Sequence, residues 1–261
     1  MTAYTLYSGS SGNCIYVKTE DAEFLFDAGV SARAVEKGLN AIGSSLSRIH
    51  AIFVTHEHSD HIKGLEVISK KYHIPTHMIG ASARACIRTP DASLLNDLYL
   101  HPTEFSVKIG STTIRSFATP HDSVASVGYT VEYKYNKKAE KLGIATDIGH
   151  ITKEITEALV GSESVIIEAN HDVNMLLSGP YPYHLKLRIL SDKGHLSNEN
   201  CAEFAKFLAK NGTKNFVLAH LSKENNFAPI AESTVRQALS EFDNIHLAVA
   251  LPDTPVLIGC D

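Results

Sequence analysis

Short apolar runs rich in Val, Ile and Phe alternate along the chain with stretches whose apolar positions recur every three or four residues. The first pattern marks buried strands and the second amphipathic helices. Strands are predicted over 13–17 and 23–27, and a helix over 32–39 with Ala34, Val35 and Leu39 on one face. The run Ile49-His50-Ala51-Ile52-Phe53-Val54 reads as a buried strand, and Ile62, Leu65, Ile68 and Ser69 suggest a helix beyond it. A strand near 75–79, a helix near 81–87 and an irregular connection over 89–100 follow. Residues 104–107, 112–118 and 126–133 read as an antiparallel set, with Asn136-Lys137-Lys138 a hairpin tip leading into 141–146. Helical patterns cover 152–160, 183–191, 198–210 and 229–242, and strands 215–219 and 246–250. Strand-rich and helix-bearing stretches occur in both halves, which suits two sheets packed face to face with helices outside. No internal repeat and no domain boundary is visible.

Composition narrows the class. A chain of 261 residues with 44% hydrophobic and 20% charged residues is ordinary for a globular enzyme. No apolar run approaches the roughly 18 residues that suggest a membrane span. The start, Met1-Thr2-Ala3-Tyr4, lacks the basic stretch and apolar core of a secretory signal, which predicts a cytoplasmic protein. The cysteines at 14, 86, 201 and 260 form no C-x-x-C pair and read as reduced packing residues. A net charge of −5 argues against indiscriminate nucleic-acid binding. Any polyanion must be held by a local positive site.

The chemistry concentrates in His56-Glu57-His58-Ser59-Asp60-His61, which leaves the carboxyl end of the 49–54 strand. His56 and His58 are two apart and project to one side of an extended chain. Two imidazoles could serve one divalent ion, and a carboxylate with a third imidazole a neighbouring one.

The order of further motifs resembles the metallo-β-lactamase superfamily over nearly the whole length. After the histidine loop, the motifs that carry the likeness are Phe24-Leu25-Phe26-Asp27, Thr119-Pro120-His121-Asp122, Ala145-Thr146-Asp147 and Ala219-His220-Leu221-Ser222. Gly9-Ser10-Ser11-Gly12-Asn13, Glu168-Ala169-Asn170-His171-Asp172 and Gly194-His195-Leu196-Ser197-Asn198 are similar to the YycJ (WalJ) type of nuclease-like hydrolase within it. The resemblance implies an α/β, four-layer αββα sandwich, a single domain of two pseudo-symmetric halves spanning 1–261, without an inserted clamping domain. It implies two divalent ions, zinc first and manganese as the alternative. His56, His58 and His121 would hold one, Asp60, His61 and His220 the other, with Asp147 bridging. Asp27 would orient a metal-bound imidazole or water. In the superfamily's oxygen-reducing diiron branch position 58 is usually a glutamate, so His58 favours hydrolysis over redox work.

The implied activity is phosphodiester hydrolysis, with DNA favoured over RNA as substrate and exonuclease action expected. Two ions would lower the pKa of a shared water to near neutrality. Asp60 is expected to pass a proton as well as bind metal. The proton donor to the leaving oxygen stays open between His195 and the Glu168/His171 pair, because Asn170 and His171 depart from the pattern of tRNA-processing relatives. His195 and Ser197, at the start of the 198–210 helix, are expected to seat a phosphate. Ser197 as a plain helix cap is the competing reading. Gly9 to Asn13 is expected to be a tight turn whose backbone lies near the metals. An acyl hydrolase on the same site is the rival activity, and a non-catalytic scaffold the rival class.

Overall fold

A computed structural model describes residues 1–86, 97–136 and 138–259. Two seven-stranded sheets stack face to face. The first sheet has the order β14-β1-β2-β3-β4-β5-β6, built from Thr2–Tyr7 (β1), Cys14–Lys18 (β2), Glu23–Phe26 (β3), Ala51–Phe53 (β4), Thr76–Ile79 (β5), Leu98–His101 (β6) and Val256–Ile258 (β14). The second runs β13-β12-β11-β10-β9-β8-β7, from Ser106–Ile109 (β7), Thr112–Thr119 (β8), Ser126–Tyr135 (β9), Lys138–Ala145 (β10), Ser164–Glu168 (β11), Asn215–Ala219 (β12) and His246–Val249 (β13).

The apolar runs are continuous because both faces of these strands are covered. Phe24, Phe26, Ala51 and Phe53 point between the sheets to meet Tyr129, Ile144, Ile166 and Val217. Their neighbours Leu25 and Ile52 point the other way, into the layer beneath Ala32–Ala41 (α1) and Leu65–Tyr72 (α3). On the opposite side, Val165, Ile167, Phe216 and Leu218 pack under Lys153–Leu159 (α5), Asn198–Lys210 (α8) and Ala228–Ala238 (α9). The α8 residues Cys201, Ala202, Ala205 and Leu208 fall on one helical stripe, as the spacing predicts. The four-layer αββα sandwich expected of the sequence is the observed fold.

The differences are local. Helix 62–69 is interrupted: Ser59–Ile62 (α2) is a separate turn before α3. Gly64 between them packs on the Val30 carbonyl, closer than any side chain permits. Leu98–His101 is a strand pairing parallel to β5, where an irregular connection was expected; residues 87–96 lie outside the described residues. Gly80–Cys86 (α4) matches the expected helix as far as it is described. Val173–Ser178 (α6) and Tyr183–Ile189 (α7) precede α8, and α6, β1 and β14 had no clear signal of their own.

One half-buried histidine pair links β5 and β6. His77 Nδ1 lies 2.9 Å from His101 Nε2, and the His77 ring stacks on Phe53 at 4.7 Å between centroids. Burial, reinforced by His101, pulls His77 from 6.5 to about 4. The unfolded chain therefore takes up a proton before the folded one does, so this contribution is complete above about pH 6.5 and lost as pH falls through about 4. Stability should drop over that window by on the order of 2 kcal/mol once solvent screening is allowed for. His77→Phe, which keeps the stacking, should flatten the slope in urea unfolding measured across that range.

Candidate active site

The topology gathers the polar motifs at one edge. Strands β8 and β10 both pair antiparallel with β9, and β10, β11 and β12 pair parallel, so β8, β10, β11 and β12 all run the same way. Their carboxyl ends deliver His121, Asp147, Glu168 and His220 side by side. In the other sheet the parallel strands β3 and β4 deliver Asp27 and the His56–His61 loop. Tyr129 clamps the two sheets just beneath, its hydroxyl donating to the Val54 carbonyl at 2.6 Å. Three of these strand-end residues sit in left-handed backbone: Asp27 at φ 62°, Asp147 at φ 57° and His220 at φ 57°. Non-glycine residues pay about 1–2 kcal/mol for that conformation, so the surrounding structure holds them there.

Each of four imidazoles is anchored through Nδ1. His61 Nδ1 donates to Asp27 Oδ2 at 2.8 Å, and His220 Nδ1 to Glu168 Oε1 at 2.8 Å. His121 Nδ1 donates to the Gly194 carbonyl at 3.2 Å, and His56 Nδ1 lies 3.0 Å from Thr55 Oγ1. Thr55 is itself fixed, its amide donating to Asp27 Oδ1 at 2.8 Å and its hydroxyl to Oδ2 at 2.9 Å. Anchoring Nδ1 aims Nε2 into the cluster, the orientation that suits metal ligation. The Nε2 atoms surround Asp147: His61 is 3.3 Å from its Oδ2, and His220 and His121 are 3.6 and 3.7 Å from its Oδ1. Asp60 Oδ2 lies 3.5 Å from His61 Nε2 and 3.6 Å from His220 Nε2.

The potential ligands fall into four overlapping groups, the fourth being Asp147, Glu168, His195 and His220. His56, His58 and His121 form one, Asp60, His61 and His220 another, and Asp147 joins His56 and His61 in a third. In each, the ligand atoms lie within 4.8 Å of one another. His56 Nε2, His220 Nε2 and Asp147 Oδ2 are buried and make no hydrogen bond. Orphaned donors and acceptors of this kind cost about 1–3 kcal/mol each, and a cation removes that cost, so the residues fit divalent ions. The charge pattern agrees. Burial alone would raise Asp147, but His220, His61 and His56 hold it well below the usual carboxylate range. Burial opposes protonation of His61, yet Asp147 and Asp27 lift it to about 10. His56 is held low by burial and by His61.

The Gly9–Asn13 turn closes one side. Asn13 Oδ1 accepts from the Gly9 amide at 3.0 Å, Gly29 packs on the Asp60 carbonyl too closely for any Cβ, and Ser8 Oγ accepts from the His220 amide at 2.8 Å.

A family profile described as a β-lactamase superfamily domain matches residues 22–221. The chain belongs to the metallo-β-lactamase superfamily. It is 34% identical over 236 residues to Exodeoxyribonuclease YycJ of Bacillus anthracis, covering 90% of this chain and 88% of that one. It is 38% identical over 248 residues to Exodeoxyribonuclease WalJ of Streptococcus pneumoniae serotype 2, covering 91% and 88%. The solved structure of human tRNase Z, short form, shares the fold at a TM-score of 0.71 and 18% identity, with both chains fully covered. The superfamily fold is that of a metal-dependent hydrolase, and the histidine and aspartate clusters are able to hold its divalent ions. Among the described residues no helix is long and apolar enough to cross a membrane.

Within this superfamily site, the residues expected to handle phosphate and protons are rearranged. Glu168 is an acceptor throughout: its Oε1 accepts from both His195 Nδ1 and His220 Nδ1 at 2.8 Å, and its Oε2 from the Ile148 and Leu196 amides at 2.8 and 3.1 Å. Burial would raise it, but His195 and His220 hold it at about 2, so it stays a carboxylate. His171 is buried, lines no part of the cavity over His195 and His220, and is pulled to about 4 by burial. Its ring nitrogens make no hydrogen bond, although the Glu168 carboxylate is near enough to favour its charged form. Ser197 is the helix cap, its Oγ accepting from the Asn200 amide at 3.2 Å, and it too lies off that cavity. The helix start behind it is closed by Asn198, whose side chain is bonded to Asn226. Only His195 of the expected phosphate pair opens onto the site. Ser197→Ala should cost about 1 kcal/mol of stability and leave turnover unchanged, which melting curves and rates on one preparation will show. Thr55 was missed; it adjoins the histidine loop, which was the available hint.

Proposed function

We propose that this chain is a metal-dependent exodeoxyribonuclease acting through two divalent ions. The observation that carries the reading is the likeness over nine-tenths of the chain to two proteins named exodeoxyribonuclease. His56, His58 and His121 would hold one ion, Asp60, His61 and His220 the other, and Asp147 would lie between them. The nitrogen-rich ligand set favours zinc, with manganese as the alternative. Such ions supply Lewis acidity, lowering the pKa of a water and neutralising charge on a phosphate.

The chain's own residues do the rest. Asp27 and Glu168 hold His61 and His220 in one tautomer and one orientation. His195 is the proton donor to the leaving oxygen: burial works against its charged form, but Glu168 raises its pKa above that of a free imidazole. Asp60, partly open to solvent, passes a proton from the attacking water. DNA is the favoured polymer over RNA, and the proposed setting is cytoplasmic.

Metal-loaded protein incubated with labelled linear DNA, labelled RNA, a chromogenic diester, a lactam and a thioester tests this directly. Release of mononucleotides from DNA ends, abolished by chelator, is the expected result. Efficient opening of the lactam or thioester with DNA untouched would move the assignment to an acyl hydrolase.

A further inference from the structure

Two helices start at the metal edge and run back over the outside of the first sheet. α1 follows β3, and α3 follows β4 by way of the ligand loop and α2, so both lead away from the ligands. Main-chain bonds tie their heads to that loop: the Ala28 amide donates to the His61 carbonyl and the Gly64 amide to the Ala28 carbonyl, both at 2.8 Å. Between the helices lies a groove of about 550 Å³, whose lining includes Arg33, Lys37, Val67, Lys71 and Tyr72. Arg33, Lys37 and Lys63, which stands at the head of α3, are exposed and make no hydrogen bond or ion pair among the described residues. Lys71 Nζ lies over the Tyr72 ring at 5.0 Å and has no carboxylate partner there. The acidic groups nearby are engaged elsewhere. Glu36, in the groove, accepts from the Leu46 amide at 3.1 Å, and Glu66 pairs with Lys70 at 2.8 Å. Four cations without a carboxylate partner thus lead away from the site, in a chain of net charge −5.

We propose that the groove between α1 and α3 carries the phosphate backbone of the DNA beyond the scissile bond, with Arg33, Lys37, Lys63 and Lys71 as its contacts. The proposal rests on the nuclease reading above. A polyanion on a chain of negative net charge needs local cations that are not already neutralised, and these four supply them. Their spacing suits a sugar-phosphate chain. Arg33 and Lys37 share one face of α1 and lie about 6 Å apart along its axis. Lys63 and Gly64 continue in right-handed helical backbone into α3, which puts Lys71 about 12 Å beyond Lys63. Each DNA strand presents a phosphate about every 3.4 Å of rise, so cations at these intervals meet every second to fourth one. Contacts to phosphate carry no sequence information, which suits removal of successive nucleotides whatever the base. Among the described residues lining the groove, Val67, 57% exposed, is the one large apolar side chain on open display, too little for a protein-docking face.

Lys37→Gln/Lys71→Gln, remote from the ligand loop, tests this on the metal-loaded full chain, with Lys37→Arg/Lys71→Arg as the charge-keeping control. Binding of a fluorescent, hydrolysis-resistant phosphorothioate DNA is followed by anisotropy across a salt series. The glutamine pair should bind about tenfold more weakly at low salt. Its slope of log affinity against log salt should flatten by about 1.4–1.8, the counterions of two phosphates. The arginine pair should restore both. In steady-state cleavage the glutamine pair should raise KM far more than it lowers kcat, with a penalty that grows with DNA length and is absent on a dinucleotide. Affinity and salt slope equal to wild type overturn the groove while the nuclease reading stands. So does an equal loss of kcat on long DNA and dinucleotide, which marks damage to the site and not lost contacts. Wild-type protein that hydrolyses a small chromogenic diester but neither binds nor cuts DNA overturns the reading itself. A concentration-dependent dimer abolished by Val67→Glu, with DNA binding by the glutamine pair unchanged, assigns the groove to a second copy of the chain and overturns the proposal.

Discussion

Asp147→Asn is expected to lower hydrolysis by about 10³-fold or more and to reduce bound metal to one ion at most. The substitution isolates charge from shape. Asparagine is nearly isosteric and is among the few residues that tolerate the left-handed backbone found at φ 57°, so the strand end keeps its conformation. What disappears is the buried negative charge that His220, His61, His56 and His121 all surround. An amide cannot offer two anionic oxygens to two cations. Steady-state rates on labelled DNA, with elemental analysis of the same preparation, measure both effects. Retention of more than about a tenth of the wild-type rate would show that Asp147 bridges nothing.

Glu168→Gln should be nearly as damaging, by about 10²–10³-fold, through the donors that residue 168 holds. All four of its contacts are donors: two imidazole N–H groups and two backbone amides. A glutamine has one oxygen to offer and must turn an NH2 group toward two of those donors. His195 then loses the carboxylate that raises its pKa, and His220 loses the anchor that aims Nε2. Stability should fall too, by about 2–4 kcal/mol for lost hydrogen bonds to a buried charge. The pH dependence identifies the cause. Glu168 has its folded value depressed from 4.5 to about 2, so its contribution is present above about pH 4.5 and vanishes as pH falls through about 2. The stability gap between wild type and variant in metal-free protein should therefore narrow in acid. A gap that stays constant from neutrality to pH 2 would mean that packing, not the carboxylate, is responsible.

The metal-ligand cluster was legible because its information is local. Histidines at 56, 58 and 61 share one loop, and a strand of Ala51, Ile52 and Phe53 before them signals a parallel-sheet end. Isolated residues such as His121, Asp147 and His220 became meaningful only through their order along the chain, since nothing beside them in sequence marks a ligand. The core strands other than β1 were legible for a related reason: both faces are buried, so their apolar runs are uninterrupted. β14 and β6 were not, because edge strands with half-exposed side chains carry little pattern. The roles of Glu168 and Ser197 could not be separated by sequence. A carboxylate at a strand end and a serine before a helix each suit a reactive or a structural part, and only the hydrogen bonds decide. Glu168 faces four donors and Ser197 faces the Asn200 amide. The pairing of Arg188 with Asp122 was not legible, because the two are 66 positions apart.

The proposed chemistry depends on two ions sitting at one strand edge, held by these residues. The decisive measurement is anomalous scattering from crystals of protein purified without chelator, with elemental analysis of the same sample. Two peaks are expected about 3.5–4 Å apart, one among His56, His58 and His121, the other among Asp60, His61 and His220, with Asp147 between them. A single fully occupied ion with Asp147 turned away, or no metal in protein that still degrades DNA, would contradict it.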